Sequence, residues 1–234
     1  VEIESGSMVE MVVIPEKTRR TLCVSSQAGC ALQCTFCATG AQGFDQDLKS
    51  SEIIGQLWLA NFHAKDSKPI TNIVFMGMGE PLLNFDAVIE SAKIMKDQLA
   101  YGLSRKRVTI STSGIVPNIE RLSKEIDVSL AISLHASENK LRNQIVPINK
   151  KYPIESLLES CKKYLENYQN KRSITIEYIL INEINDSLDH ANKLSKLLSN
   201  ISCKINLIPF NSFKGSIYKR PSMKKINSFK RHLM

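Results

Sequence analysis

Three of the chain's six cysteines, Cys30, Cys34 and Cys37, fall within the stretch GCALQCTFCATG at residues 29–40. Their spacing, C-x-x-x-C-x-x-C, gathers three soft sulfur donors on one loop. A structural zinc takes four ligands, usually as two separated pairs, and neither a second C-x-x-C nor a neighbouring His completes such a set. Three thiolates on a short loop suit three corners of a cubane iron–sulfur cluster. The fourth iron then keeps a position for a substrate, as a catalytic metal does and a structural one does not. Zinc and plain buried cysteines are the other readings of this loop. Phe36 offers an apolar cover, and the small residues Ala38, Thr39 and Gly40 let backbone come close; taken alone, ATG reads as an ordinary loop.

Other residues suited to chemistry recur at the ends of apolar runs. In GMGEP, residues 77–81, the glycines Gly77 and Gly79 allow close backbone approach and Glu80 presents a carboxylate to an amine. Ser111 in TISTSG, and Ser133, Leu134 and His135 in ISLHA, place small polar groups where a ribose or a carboxylate could be held; a lone His in such a place is more often structural. Asn211 after NLIPF is comparable, with a turn-forming Asn as its plain reading. Residue chemistry alone makes Cys23, in TLCVSS, a buried strand cysteine and Glu10, in MVEMVVIPE, a hairpin surface charge. Cys161 and Cys203 read as small buried hydrophobes.

The elements that must position these groups are short β-branched runs, each followed by a stretch of helical periodicity. The runs are TLCVSS, TNIVFMG, KRVTIST, DVSLAISLH, SITIEYILI and CKINLIPF. Helices are predicted over residues 48–63, 84–100, 117–124, 138–145, 154–168 and 187–198. Strands alternating with helices predict parallel β/α units with right-handed crossovers. Six units are too few to close an eight-stranded barrel, so the expected fold is α/β, a partial open (β/α)6 barrel. Ahead of it, VEIESGSMVEMVVIPE alternates around a Gly-Ser turn and predicts a small hairpin over residues 1–16, with the core over 17–234. AKDSKPI, residues 64–70, is expected as a loop. Parallel β/α folds carry their sites at the carboxyl ends of the strands, which is where the residues above fall.

The chain's 234 residues, 43% of them hydrophobic and 23% charged, describe an ordinary globular core. Lys and Arg number 31 against 23 Asp and Glu, a net +8 that favours polyanions such as nucleic acid. Part of the excess lies in KGSIYKRPSMKKINSFKRHLM, which holds no acidic residue and also reads as a solvated terminal helix. No run of eighteen apolar residues occurs, and the first residues lack the order of a signal peptide, so a cytoplasmic location without membrane contact is expected. In a reducing compartment, clustered cysteines point to metal or redox chemistry rather than structural disulfides.

Taken together, TLCVSSQAGCALQCTFCATG, GMGEPLLN, RVTISTSGIVP, LAISLHA, IVPINKKYP, TIEYILI and KINLIPFN resemble the RlmN family of radical S-adenosylmethionine enzymes, over essentially the whole chain. The resemblance implies a barrel of the radical S-adenosylmethionine type and methylation of adenine carbon 2 in 23S rRNA and in certain tRNAs. It implies a 4Fe-4S cluster on Cys30, Cys34 and Cys37, with S-adenosylmethionine chelating the open iron. Gly79, Glu80, Ser111, Ser133, Leu134, His135 and Asn211 match the family's S-adenosylmethionine contacts. In that family a cysteine near the C-terminus is first methylated, and its methylene radical then adds to adenine. Release needs a proton acceptor, matched by Glu10, and a second cysteine that attacks the thioether sulfur to leave a disulfide, matched by Cys23. The implied partners are 23S rRNA, tRNA and an electron donor such as flavodoxin, with the protein acting as a monomer. The family's N-terminal helical RNA-binding domain and its methyl-carrying cysteine match nothing between Val1 and Met234. The chain is therefore expected to be the radical core of a longer protein, which binds cluster and S-adenosylmethionine without completing methylation. The alternatives are a Cfr-type enzyme acting on carbon 8 and a non-catalytic iron–sulfur or zinc RNA-binding module.

Overall fold

The computed structural model describes residues 1–63, 68–168 and 172–234, so most of the loop expected at 64–70 lies outside the described residues. In chain order the elements are β1 (Val12–Pro15), β2 (Arg20–Cys23), β3 (Gln27–Gly29), α1 (Ala38–Gln42), β4 (Phe44–Asp47), α2 (Ser50–Phe62), β5 (Asn72–Phe75) and α3 (Phe85–Lys96). There follow β6 (Val108–Thr112), α4 (Val116–Glu125), β7 (Ser129–Ser133), α5 (Asn139–Ile145), α6 (Ile154–Glu166), β8 (Ile174–Leu180), α7 (Leu188–Leu198), β9 (Cys203–Pro209) and α8 (Met223–Leu233). The six expected strands are β2 and β5 to β9, and the six expected helices are α2 to α7. Two compact units are distinguished: Val1–Gln33, Thr39–Thr112 and Arg121–Leu130 form the first, and Cys34–Ala38, Ser113–Glu120 and Ala131–Met234 the second.

In the first unit the strands run in the order β1-β2-β5-β6, with β1 antiparallel to β2 and the rest parallel. Leu22 pairs with Ile73 and Ile73 with Val108, and all three are fully buried. Runs such as NIVF and VTIST favour this because β-branched side chains fit a pleated, covered surface. Helices α2 and α3 pack against each other, burying Ile53, Leu57 and Ala60 on one and Val88, Ala92 and Met95 on the other, the three-to-four-residue spacing of an amphipathic helix. Fully burying one such Leu or Ile contributes about 1.5–3 kcal/mol.

The second unit has the parallel strands β7-β8-β9, in register at Ile132 with Ile176 and Glu177 with Asn206. Helices α7 and α8 start on Ser187 and Ser222, whose hydroxyls accept the N–H of His190 and Lys225. Phe229 of α8 stacks on Tyr178 of β8 with ring centroids 5.5 Å apart, and both are buried. The basic C-terminal stretch thus forms a helix that buries Ile226 and Phe229 and exposes its cations.

The N-terminal hairpin is present as β1 paired antiparallel with β2, while the turn at Gly6 closes a single bridge, Glu2 with Met8. Two features differ from the expected pattern. ATG begins the short helix α1 rather than a loop, and β3 and β4 form a two-stranded antiparallel ribbon on either side of the cysteine loop. Both ribbon strands are only three or four residues long, too short for a periodic signal.

Candidate active site

The parallel strands bring the expected residues to their carboxyl ends. Cys23 is the last residue of β2, residues 77–81 follow β5, Ser111 lies near the end of β6, Ser133 ends β7, and Asn211 follows β9. Each unit carries its own share.

In the first unit, Glu10 sits beside the GMGEP loop. Its N–H points to Met78 Sδ at 3.4 Å, and its carbonyl accepts the Ser25 hydroxyl at 2.5 Å. The same Ser25 oxygen accepts the Met78 N–H at 2.9 Å, so one hydroxyl ties both segments together. Glu10 is exposed and, with Met8, Val9, Met11, Gln42 and Met78, lines an open cleft of about 700 Å³. Cys23 is a half-buried free thiol opposite Val12. Burial pushes this thiol up, offset in part by a hydrogen bond with the Met76 backbone, so it is held protonated until a base takes its proton.

Glu80 is buried, and its Oε1 accepts the Leu82 N–H at 3.1 Å. Gly79 has φ +100°, and a Cβ there would run into the Gln27 side chain. The sequence makes this glycine a point of ligand approach; in the structure it first makes room for a neighbouring side chain. Cys30 is buried, with its N–H on the Gly43 carbonyl at 2.8 Å. Gly29 before it has φ +76° and no space for a Cβ, because the Gly43 carbonyl fills it. The ribbon of β3 and β4 therefore fixes where the cysteine loop begins.

In the second unit, the Cys37 N–H bonds the Cys34 carbonyl at 3.0 Å, the Thr35 N–H bonds the Ile145 carbonyl at 3.1 Å, and the Thr35 hydroxyl meets the Tyr218 hydroxyl at 2.8 Å. Cys34 and Phe36 pack on Ala136, Ile145 and Val146. The Phe36 ring meets His135 edge-on with centroids 4.7 Å apart, so it does cover part of the loop's surroundings. His135 is buried with φ +62°. Its Nδ1 accepts the Ile179 N–H at 3.1 Å, which puts the ring proton on Nε2. The N–H groups of Leu134 and His135 both reach the Glu177 carbonyl, and Asn185 donates to the His135 carbonyl at 2.8 Å. The Ser133 hydroxyl and His135 Nε2 are the groups of this turn that these bonds do not consume. The Asn211 Oδ1 accepts from Arg220 at 2.9 Å, leaving its amide protons for a ligand.

Burial, and then the Arg142 charge, push the His135 pKa down from 6.5 to about 3. A lowered pKa means that the unfolded chain takes the proton first as pH falls below about 6.5. Stability is expected to decline from there toward pH 3, by about 1.4 kcal/mol per unit for this residue. Denaturant titrations at pH 7 and pH 5 on the wild type and on His135→Gln check it: the variant should lose less on acidification. Equal losses would exclude a buried neutral imidazole.

Sequence reasoning missed the buried polar residues that hold these turns. Gln27 and Arg142 are nearly or wholly inaccessible, and Glu177, in β8, has its carboxyl pushed up by burial despite a 2.8 Å bond from Asn206. The one local signal was a glutamate inside the apolar run ITIEYIL.

Among the described residues no group of three His, Cys, Asp or Glu side chains could hold a single metal ion. A cubane cluster is instead held by thiolates spread over its irons, and three cysteines on one pinned loop, one of them buried, suit that donor set.

These strand-end groups on parallel β/α units, with three cysteines in the first long loop, define the radical SAM class, and the chain belongs to the radical SAM superfamily, whose description matches residues 24–194. Membership carries a 4Fe-4S cluster and S-adenosylmethionine as cofactors. More particularly, the chain is 57% identical over 98% of its length to "Dual-specificity RNA methyltransferase RlmN" of Pseudomonas putida (strain W619), of which it covers 61%, and 56% identical over 100% to the same-named protein of Pseudomonas fluorescens (strain SBW25), of which it covers 62%. It thus spans about three fifths of the length of these curated relatives. Its structure superposes on a radical SAM methyltransferase from Sphaerobacter thermophilus with a TM-score of 0.95 at 40% identity, covering 98% of this chain and 67% of that one. Streptococcus suis SuiB, at 15% identity and a TM-score of 0.62 over 92% of this chain and 48% of its own, shares the fold. The partial open barrel expected from the alternating runs, of the radical SAM type that the resemblance implies, is therefore the fold of this chain.

Proposed function

We propose that the chain is the catalytic core of a radical S-adenosylmethionine methyltransferase that modifies carbon 2 of adenosine in 23S rRNA and tRNA. The observation that carries this reading is 57% identity across nearly the whole chain to a dual-specificity RNA methyltransferase RlmN. Cys30, Cys34 and Cys37 hold the cluster. Gly79, Glu80, Ser111, Ser133, Leu134, His135 and Asn211 bind S-adenosylmethionine. When bound, the two cofactors supply one-electron cleavage of the sulfonium to methionine and a 5′-deoxyadenosyl radical.

The protein's own groups orient these partners and exclude water. Glu10, at the cleft, takes the proton from the adenine carbon, and the Cys23 thiol resolves the protein–RNA thioether through a disulfide with the methyl-carrying cysteine of the longer protein. An unpaired or extruded adenosine is the form that a folded RNA can present. The +8 net charge favours such a polyanion. The full protein works as a cytoplasmic monomer fed by a donor such as flavodoxin, with residues 1–16 ahead of the core at 17–234; among the described residues no helix is long and apolar enough to cross a membrane.

Anaerobic reconstitution with iron and sulfide, followed by dithionite and S-adenosylmethionine, is expected to release 5′-deoxyadenosine. Its absence from a reconstituted, iron-replete sample sinks the radical reading. Mass spectrometry of RNA treated with the full-length protein should place the methyl on carbon 2, and a carbon-8 product would assign the Cfr-type reaction instead.

A further inference from the structure

Gln27 is 1% exposed, and both ends of its carboxamide are engaged. Its Oε1 accepts the main-chain N–H of Glu80 at 2.8 Å, and its Nε2 donates to Asp47 Oδ1 at 2.7 Å. The partners fix which end points where, since a backbone N–H only donates and a carboxylate only accepts. Asp47, opposite Gln27 in the β3–β4 ribbon, therefore keeps the amide oxygen turned toward Glu80. The Gln27 N–H also bonds the Met78 carbonyl at 3.2 Å, and its Cβ and Cγ fill the space that a Gly79 side chain would need.

These contacts set the plane of the peptide between Gly79 and Glu80. In a trans peptide the carbonyl of one residue points opposite to the N–H of the next. With the Glu80 N–H on Gln27, the Gly79 carbonyl is directed away from Gln27, and the Glu80 side chain leaves a fixed backbone with its carboxylate steadied by Leu82.

We propose that Gln27, oriented by Asp47, is a positioning residue for S-adenosylmethionine: it aims the Gly79 carbonyl and the Glu80 carboxylate at the cofactor's ammonium group. The inference rests on the assignment of Gly79 and Glu80 as cofactor contacts under the proposed function. Gln27 itself acts only through the loop it holds. An ammonium held by a carbonyl and a carboxylate is sensitive to their direction, because charge-assisted hydrogen bonds are strong only when short and aligned.

The test is the equilibrium affinity for S-adenosylmethionine of the anaerobically reconstituted protein, recorded with iron content and the paramagnetic resonance response of the reduced cluster to the cofactor. Gln27→Leu is expected to weaken binding about tenfold while iron content stays at the wild-type level. Asp47→Ala should weaken it several-fold, and Asp47→Asn, which keeps an acceptor oxygen, should bind as the wild type does. In the Gln27→Leu background, Asp47→Ala should add nothing, since it acts through Gln27. Unchanged affinity in Gln27→Leu overturns the inference, and so does an Asp47→Ala effect that persists in the double variant. Should Gln27→Leu not fold, the exposed Asp47 carries the test through its Ala and Asn variants: equal affinities for the two overturn the inference. A wild type that holds iron but does not bind S-adenosylmethionine refutes the proposed function itself, a result distinct from a binding wild type with indifferent variants.

Discussion

Cys34→Ala is expected to reduce iron after anaerobic reconstitution to background and to abolish 5′-deoxyadenosine formation, with the fold retained. Cys34 and Cys37 share one pinned loop through a main-chain bond of 3.0 Å, and Cys30 is fixed at the loop's start by Gly43. On the proposed assignment three thiolates are the whole protein share of the cluster, so one lost ligand leaves two, too few to retain it. Cys34 packs at the rim of the small cluster formed by Ala136, Ile145 and Val146, and truncating it removes one sulfur from that surface. The cost to stability should therefore stay within about 1–2 kcal/mol. The control is Cys161→Ala, which should leave iron unchanged, because Cys161 is wholly buried within α6 and lies outside the cysteine loop. Iron quantitation and the cluster's visible absorption, with far-ultraviolet circular dichroism as the check on folding, decide the matter. Full iron in Cys34→Ala, or lost iron in Cys161→Ala, would overturn the ligand assignment.

The parts that were legible in the sequence are those specified by local pattern. Strands such as NIVF and VTIST, and the helices between them, announce themselves because period and β-branching act over a few neighbours. The cysteine trio is legible for the same reason, since its chemistry lies in its spacing. Gln27 is not, because its meaning comes from Glu80, 53 residues away, and no local rule says that this amide will be buried. Cys23 and Glu10 look like a strand cysteine and a surface charge, and only the family resemblance raised them above that reading. The structure then set Glu10 against Met78 and Ser25, a juxtaposition made by β1 pairing antiparallel with β2. In the sequence Gly79 of GMGEP offers only a permissive backbone; that its missing side chain makes room for Gln27 is a fact of packing, visible only once β3 lies beside the loop.

Arg142→Met is expected to destabilise the protein by about 3–5 kcal/mol, because four neutral acceptors lose their donor at about 1–3 kcal/mol each, offset in part by removal of a buried charge. Arg142 is fully buried in α5. Its Nε donates to the Leu134 carbonyl at 2.9 Å, Nη1 to Asn149 Oδ1 at 2.9 Å, and Nη2 to the carbonyls of Ser113 and Ser133 at 2.6 and 3.0 Å. Asn149 in turn donates to Asn139 and Asn143, so the guanidinium centres a network tying α5 to the turns that follow β6 and β7. Methionine fills much of the volume but supplies no donor, and acceptors taken from water without a partner carry the full desolvation cost. Lysine does not restore it, because one ammonium cannot span acceptors that a planar five-donor fork reaches together. Urea denaturation measures the loss, and a value within about 1 kcal/mol of the wild type would refute the clamp. A second readout separates positioning from stability alone. The Arg142 charge is one cause of the depressed His135 pKa, so Arg142→Met should raise that pKa, followed by imidazole resonances under conditions where the variant stays folded. On the proposed assignment of Ser133, Leu134 and His135 as cofactor contacts, the same variant should bind S-adenosylmethionine more weakly, since these residues form the turn that the guanidinium holds. Unchanged affinity in a folded variant would leave Arg142 a purely structural residue.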